Sequence, residues 1–186
     1  MPRTRRTSRR RRTGFTLVEM LVVILIMGIL AAVVVPGLGA IDDQRRDAGI
    51  EEIARLLRYA RASAMATGTP TGVRIQADSG VVVDLVRLDP DTGDLDGVPG
   101  PLGEDLTTRH LDHEFGGLTV LSMQNGDGTT GTDETFWFAY DGTPHTRSAL
   151  GAFAANNTDP CLIEVETRTG SLTIRVREAT GMIDEL

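Results

Sequence analysis

The sequence predicts an α+β chain in which one long N-terminal helix packs on an antiparallel β-sheet. Three observations predict it. An apolar run sits near the start, helically spaced apolar residues continue past it to Thr67, and alternating runs separated by turn-rich stretches fill the remainder. The 186 residues, 40% hydrophobic and 24% charged, leave room for one globular domain and an appendage. That composition is too polar for a multi-span membrane protein.

Charge divides the chain. Against a net charge of −7, residues 1–14 hold seven Arg and no acid, which leaves −14 on the other 172 residues. All 19 basic residues are Arg. An acidic body argues against broad nucleic-acid binding, which needs basic surface to displace counterions. A basic head before an apolar run points instead to a membrane. The single Cys161 excludes an intramolecular disulfide.

The first element is the apolar helix. Leu17–Leu38 carries one charged residue, Glu19, and as a helix would reach ~33 Å, enough for a ~30 Å hydrocarbon core. A secretory signal peptide would need a shorter core and a cleavage site, for which Gly37-Leu38-Gly39 is the candidate. A plain signal anchor fits the length. Neither accounts for Glu19, because a carboxylate inside an apolar helix costs ~2–3 kcal/mol and marks function. Ser8-Arg9-Arg10 lacks the apolar residues that a twin-arginine signal places directly after it.

Gly14-Phe15-Thr16-Leu17-Val18-Glu19, followed by MLVVILIMGILAAVVVP, resembles the type IV prepilin signature. The resemblance implies that prepilin peptidase cuts after Gly14, that the new N-terminal Phe15 is N-methylated, and that Glu19 is the fifth residue of the mature chain. The chemistry suits those roles. Glycine fits a narrow protease site. Cleavage creates an amine on Phe15 near the Glu19 carboxylate, and in lipid both charges are costly unless paired. Pairing within a helix or between staggered neighbours makes Glu19 a register device for assembly. The positive-inside rule keeps the Arg leader in the cytoplasm and sends the acidic body outward.

The helix is expected to continue. Ile41, Ala48, Ile53, Leu56, Leu57, Ala60 and Ala64 form one apolar stripe, Pro36, Gly37 and Gly39 should bend or loosen the helix, and Gly68-Thr69-Pro70 should end it. The expected division is a cleaved leader at 1–14, a transmembrane helix at 15–38, its amphipathic continuation at 39–67 and a β-rich domain at 68–186. Six strands are predicted: Thr71–Gln76, Val81–Leu88, Leu118–Met123, Thr135–Tyr140, Cys161–Thr167 and Ser171–Arg177. In the fourth, Phe136, Phe138 and Tyr140 share one face. Thr169-Gly170 reads as a tight hairpin, and residues 89–114, 124–134 and 141–160 as long polar loops.

LLRYARASAMATGTPTGVRI, the stretch from Phe138 to Gly142 and the ending near Thr180-Gly181 resemble the pseudopilin H (GspH/FimT) group. This resemblance implies a pilin-like fold and a minor pseudopilin of the type II secretion pseudopilus. Such a subunit sits in the bacterial inner membrane with a periplasmic domain, and its partners are prepilin peptidase, the membrane and other pseudopilins. The alternatives are a minor type IV pilin for pilus assembly or DNA uptake, and a membrane-anchored enzyme or binding domain.

The remaining candidates are weaker. Asp89, Asp91, Asp94 and Asp96 cluster carboxylates that suit Ca²⁺, but not at EF-hand spacing, and a solvated acidic turn is the plainer reading. Asn125, Asp127, Asp133 and Glu134 form a poorer set. His110, Asp112 and His113 could share a helical turn, with no third His or Cys nearby for zinc. Asp141, His145 and Ser148 lack a nucleophile-elbow motif, and Cys161 reads as a small core residue. Arg168, Arg175 and Arg177 are the only nucleus for DNA contact, and the interspersed Glu164, Glu166 and Glu178 predict cross-strand charge pairs instead. The chain is therefore expected to be no enzyme, to need no cofactor and to bind no nucleic acid.

Overall fold

The computed structural model describes residues 15–89, 91–98, 108–148, 152–167 and 170–186, without the side chains of 32–41. Helix α1 spans Leu17–Thr67, 51 residues. Its end follows from local chemistry: Gly68 adopts φ 70° and its N–H donates to the Ala64 carbonyl at 2.9 Å, a left-handed cap that Pro70 prevents from continuing. The chain divides into two compact units, Met1–Ala40 and Ile41–Leu186.

In the first unit every large apolar side chain from Phe15 to Leu30 is exposed, from 44% at Val22 to 82% at Leu17. Among the described residues no helix is long and apolar enough to cross a membrane. The run expected to do so, Leu17–Leu38, ends among residues 32–41, whose side chains lie outside the described set, and so does the loosening expected at Pro36, Gly37 and Gly39.

In the second unit the chain continues with β1 (Thr71–Gln76), β2 (Val82–Leu88), β3 (Leu95–Gly97), β4 (Arg109–His110), the short helix α2 (Leu111–Phe115), β5 (Val120–Gln124) and β6 (Thr130–Gly131). It is completed by β7 (Asp133–Phe138), β8 (Pro144–Arg147), β9 (Phe153–Asn156), β10 (Cys161–Thr167), β11 (Gly170–Val176) and β12 (Ile183–Glu185). Two antiparallel sheets form, in place of the single one expected. One has the order β3-β2-β1-β7-β8-β9, with β4 on β2, and the other β12-β11-β10-β5-β6. The division arises because β5 pairs with β10, Ile163 opposite Met123, while β7 pairs with β1, Phe136 opposite Val73.

One core joins the two sheets to α1. Ile53, Leu56, Leu57, Ala60 and Ala64 are buried as the helical spacing requires, together with Ile50 and Ala54. They meet Val73, Ile75, Phe136 and Phe138 from one sheet and Met123, Ile163, Val165 and Ile174 from the other. Ala48, expected in the stripe, is only half-buried, and the side chain of Ile41 is outside the described set.

Strands β1 and β10 coincide with the expected spans. The expected fourth strand is shifted: β7 stops at Phe138, and Tyr140 is 69% exposed, not on the core face. The cause is a turn in which Gly142, at φ 82°, donates to the Ala139 carbonyl and rotates Tyr140 outward. Strands β3, β4, β6, β8 and β9 lie in stretches expected as polar loops, and β12 follows the last expected strand. Each has two to four residues; all but β9 pair with a longer neighbour, and β9 pairs with the equally short β8. The hairpin expected at Thr169-Gly170 joins β10 to β11 in register Thr167↔Gly170, and its tip falls outside the described residues.

Candidate functional site: the head of the first helix

Thr16 and Glu19 build the start of α1 reciprocally. The Thr16 N–H and hydroxyl donate to Glu19 Oε2 at 2.9 and 3.1 Å, and the Glu19 N–H donates to Thr16 Oγ1 at 3.2 Å. This is a capping box: each side chain satisfies a backbone donor that the first turn leaves without a partner. It places a carboxylate at the positive end of the helix dipole, within one turn of Phe15. Glu19 therefore has a structural task besides the register role read from its charge, and Thr16 is a residue that charge reasoning missed. Phe15 is 78% exposed, and Gly14 lies outside the described residues.

The C-terminal end of α1 is fixed by two turns. Arg61 Nε donates to the Gly142 carbonyl at 3.2 Å, and a Cβ at Gly181 would lie 2.1 Å from that same oxygen. The turns ending near Gly142 and Gly181, the loose tail pattern of the sequence, thus close on each other beside one arginine. Higher on the helix, Glu52 is held by Arg55, Nε to Oε2 at 2.7 Å, and by Arg109, which also holds Glu114.

The other candidates disperse. Asp89 Oδ1 accepts the N–H of Asp91 at 2.8 Å, which holds its carboxyl below the usual range, while Asp96 lies on β3 opposite Arg87. Glu134 is bound by Asn125 Nδ2 at 3.2 Å, its carboxyl pushed up by burial, and Asp133 pairs with Arg74 at 2.6 Å. The His110 and His113 rings meet edge to face at 5.6 Å, and His113 lies 3.5 Å from Asp112. Among the described residues no group of three or more His, Cys, Asp or Glu is placed to hold a metal.

Asp141 is occupied by its own turn, accepting from the Thr143 hydroxyl at 2.6 Å and N–H at 3.0 Å. Ser148 Oγ accepts the Ala152 N–H at 3.2 Å. His145 is buried, which pushes its imidazole down to about 4, and its Nε2 accepts from Arg147 at 2.5 Å. A His so engaged is no base for Ser148. Cys161 is buried as expected, its thiol pushed up to about 12 by burial, with Asn157 Nδ2 at 3.1 Å.

Arg168 is outside the described residues. Arg175 and Arg177 form charge pairs, but with Asp184 of β12, at 3.7 and 2.6 Å, rather than with the expected glutamates. The unforeseen β12 supplies this acid, and Glu164 is taken by Ser122 and Ser171.

A helix opened by this box is followed by two antiparallel sheets, an α+β pilin-like fold, and residues 9–35 match the prokaryotic N-terminal methylation motif. The chain is similar to the type IV narrow pilus major component PilA5 of Thermus thermophilus, 43% identical over 63 residues. That alignment covers 33% of this chain and 54% of the relative, so the chain spans about half the length of the curated protein it matches. Its fold is similar to that of the minor pseudopilin EpsH from the Type 2 Secretion System of Vibrio cholerae, with a TM-score of 0.53 at 13% identity, over 76% of this chain and 96% of that one.

Proposed function

We propose that the chain is a minor pseudopilin, a structural subunit of a type II secretion pseudopilus and not an enzyme. On this reading prepilin peptidase removes residues 1–14 and Phe15 is N-methylated. The apolar helix holds the subunit in the bacterial inner membrane, N-terminus cytoplasmic and β-rich domain periplasmic, until it joins other pseudopilins. The observation that carries the reading is the N-terminal methylation motif joined to a body with the fold of a minor pseudopilin. The exposed apolar side chains from Phe15 to Leu30 support it, because such a surface needs lipid or neighbouring helices to cover it.

Intact mass of the membrane-extracted protein tests the processing: the expected chain begins at N-methylated Phe15. A start at Ala40 would establish an ordinary signal peptide. Glu19→Val should still be cleaved but fail to crosslink to neighbouring subunits, since the Phe15 amine loses its partner. Normal crosslinking would defeat the register role.

The similarity to a type IV pilus component favours a second reading, a minor type IV pilin. Deleting the gene separates the two, by loss of exoprotein secretion on the first and loss of pili or DNA uptake on the second. The acidic body and the Arg175 and Arg177 pairs with Asp184 argue against the uptake variant. Salt-sensitive DNA binding lost on substituting those two arginines would favour it.

A further inference from the structure

The ends of the two sheets are not alike. β6 is two residues long, β3 carries Asp96, and β12 carries Asp184 and Glu185. Short length and charge are the usual protection of a sheet edge against pairing. β9, Phe153–Asn156, has neither charge nor proline, and all four of its residues are exposed at the end of its sheet.

This strand borders a cavity of about 560 Å³, lined by Phe153 and Asn156 of β9, by Tyr140 and Asp141 of the turn before β8, by His145 and Arg147 of β8, and by Glu178. Its size is that of a ligand site, ~300–1,000 Å³. His145 is 1% exposed. Its Nε2 accepts from Arg147, so the neutral ring carries its proton on Nδ1, and the Thr143 backbone serves that ring as a hydrogen-bond partner. The Arg147 guanidinium is engaged by His145 and by the Trp137 ring, 5.7 Å away. Asp141 and Glu178 place two carboxyl groups in the cavity wall against the one guanidinium of Arg147.

We infer that β9 and the adjoining cavity accept an extended polypeptide segment that adds to the sheet as a further strand and places a basic side chain in the cavity. The outer edge of β9, without a ladder partner among the described residues, supplies main-chain hydrogen bonds, the usual source of affinity in strand addition. The basic group lies against the exposed Tyr140 ring and pairs with the Asp141 and Glu178 carboxylates. The surface belongs wholly to the second unit and does not depend on the filament reading.

Fluorescence anisotropy of labelled peptides on the full chain in detergent micelles tests this. The probe is the peptide Thr-Val-Arg-Val-Thr-Val, compared with its Arg-to-Glu version and with a fully N-methylated copy. The Arg peptide should bind, and slow amide hydrogen exchange in residues 153–156. The Glu peptide should bind about tenfold more weakly, the effect of one charge pair. Asp141→Asn combined with Glu178→Gln should reduce that preference to within about twofold; asparagine still accepts the Thr143 N–H, so the turn is kept. The N-methylated copy should not bind. No binding of the Arg peptide at millimolar concentration, equal binding of the Glu or N-methylated peptide, or protection of residues 153–156 only through dimers of the chain itself would each overturn the inference.

Discussion

The same residue types behave in opposite ways in the two units. From Phe15 to Leu30, valine, leucine, isoleucine and methionine are at least 44% exposed, while in the second unit Ile53, Leu57, Ile75, Phe138 and Ile163 are fully buried. Burial depends on whether the chain supplies a second surface. The second unit has two sheets to cover one face of α1, and among the described residues the first has only its own helix. On the pseudopilin reading proposed above, the exposed apolar side chains of the first unit face lipid or other subunits. The buried ones of the second unit hold the domain together.

The largest test of this contrast is core truncation. Phe138→Ala should destabilise the second unit by about 3–5 kcal/mol through lost burial and a residual cavity. Val23→Ala should leave its unfolding midpoint unchanged. Trp137, the only tryptophan, is 3% exposed in the second unit and reports its unfolding in denaturant titrations of the full chain in detergent. An equal shift from Val23→Ala would mean that the first helix half packs on the domain, and the contrast would fail.

Acid sharpens the contrast next, because all three histidines lie in the second unit. Burial holds the His145 pKa at about 4, against 6.5 for the free side chain. Between these values the unfolded chain binds more protons, so stability is full above pH 6.5 and falls as pH drops toward 4. The total loss is roughly 3 kcal/mol. Asp127 and Asp133, whose carboxyls are held low mainly by Thr129 and Arg74, lose their contribution in a more acidic window. His145→Gln should flatten the pH dependence of the midpoint between 4 and 6.5 and leave the more acidic limb. An unchanged slope would show that His145 is not the group titrating.

Glycines give a smaller contrast. At Gly181 a Cβ would lie 2.1 Å from the Gly142 carbonyl oxygen, with φ at 64°, so Gly181→Ala should cost about 1–3 kcal/mol and loosen the closure beside Arg61. Nothing lies within 4 Å of a Cβ at Gly28, and Gly28→Ala should add about 0.8–1 kcal/mol of helix propensity. Thermal unfolding of the two variants checks the signs. Impaired assembly of Gly28→Ala would place a neighbouring subunit against that glycine.

How far these features were legible in the sequence depended on how local their causes are. The helix, β1 and β10 were readable because their side-chain periods are set by burial along their own length. β8 and β9 were not: Pro144-His145-Thr146-Arg147 and Phe153-Ala154-Ala155-Asn156 lack alternation, and they are strands only because β7 and then β8 offer a ladder. The division into two sheets was likewise hidden, since no local pattern says that β5 will choose β10. At the N-terminus the reverse occurred. Glu19 stood out because a charge is costly in an apolar run, while Thr16, three residues earlier, carried an ordinary capping signature that needed only the backbone donors to be counted.

That signature gives the smallest and most discriminating test, because it separates the two tasks of Glu19. Thr16→Val keeps the shape of the side chain and the Glu19 carboxylate but removes the hydroxyl that accepts the Glu19 N–H. Loss of an N-cap oxygen should cost about 1 kcal/mol, confined to the first turn of α1, with no change in the unfolding of the second unit. Thr16→Ser keeps the oxygen and should restore the native value. Hydrogen exchange at the amides of Thr16 to Glu19 in micelles reads the fraying directly. If the carboxylate acts only through its charge, Thr16→Val subunits should crosslink to neighbours as well as the unaltered chain, while Glu19→Val subunits do not. If Thr16→Val also fails, and Thr16→Ser recovers crosslinking, the hydroxyl must hold the carboxylate in place before it meets an amine, and the cap and the register device are one feature.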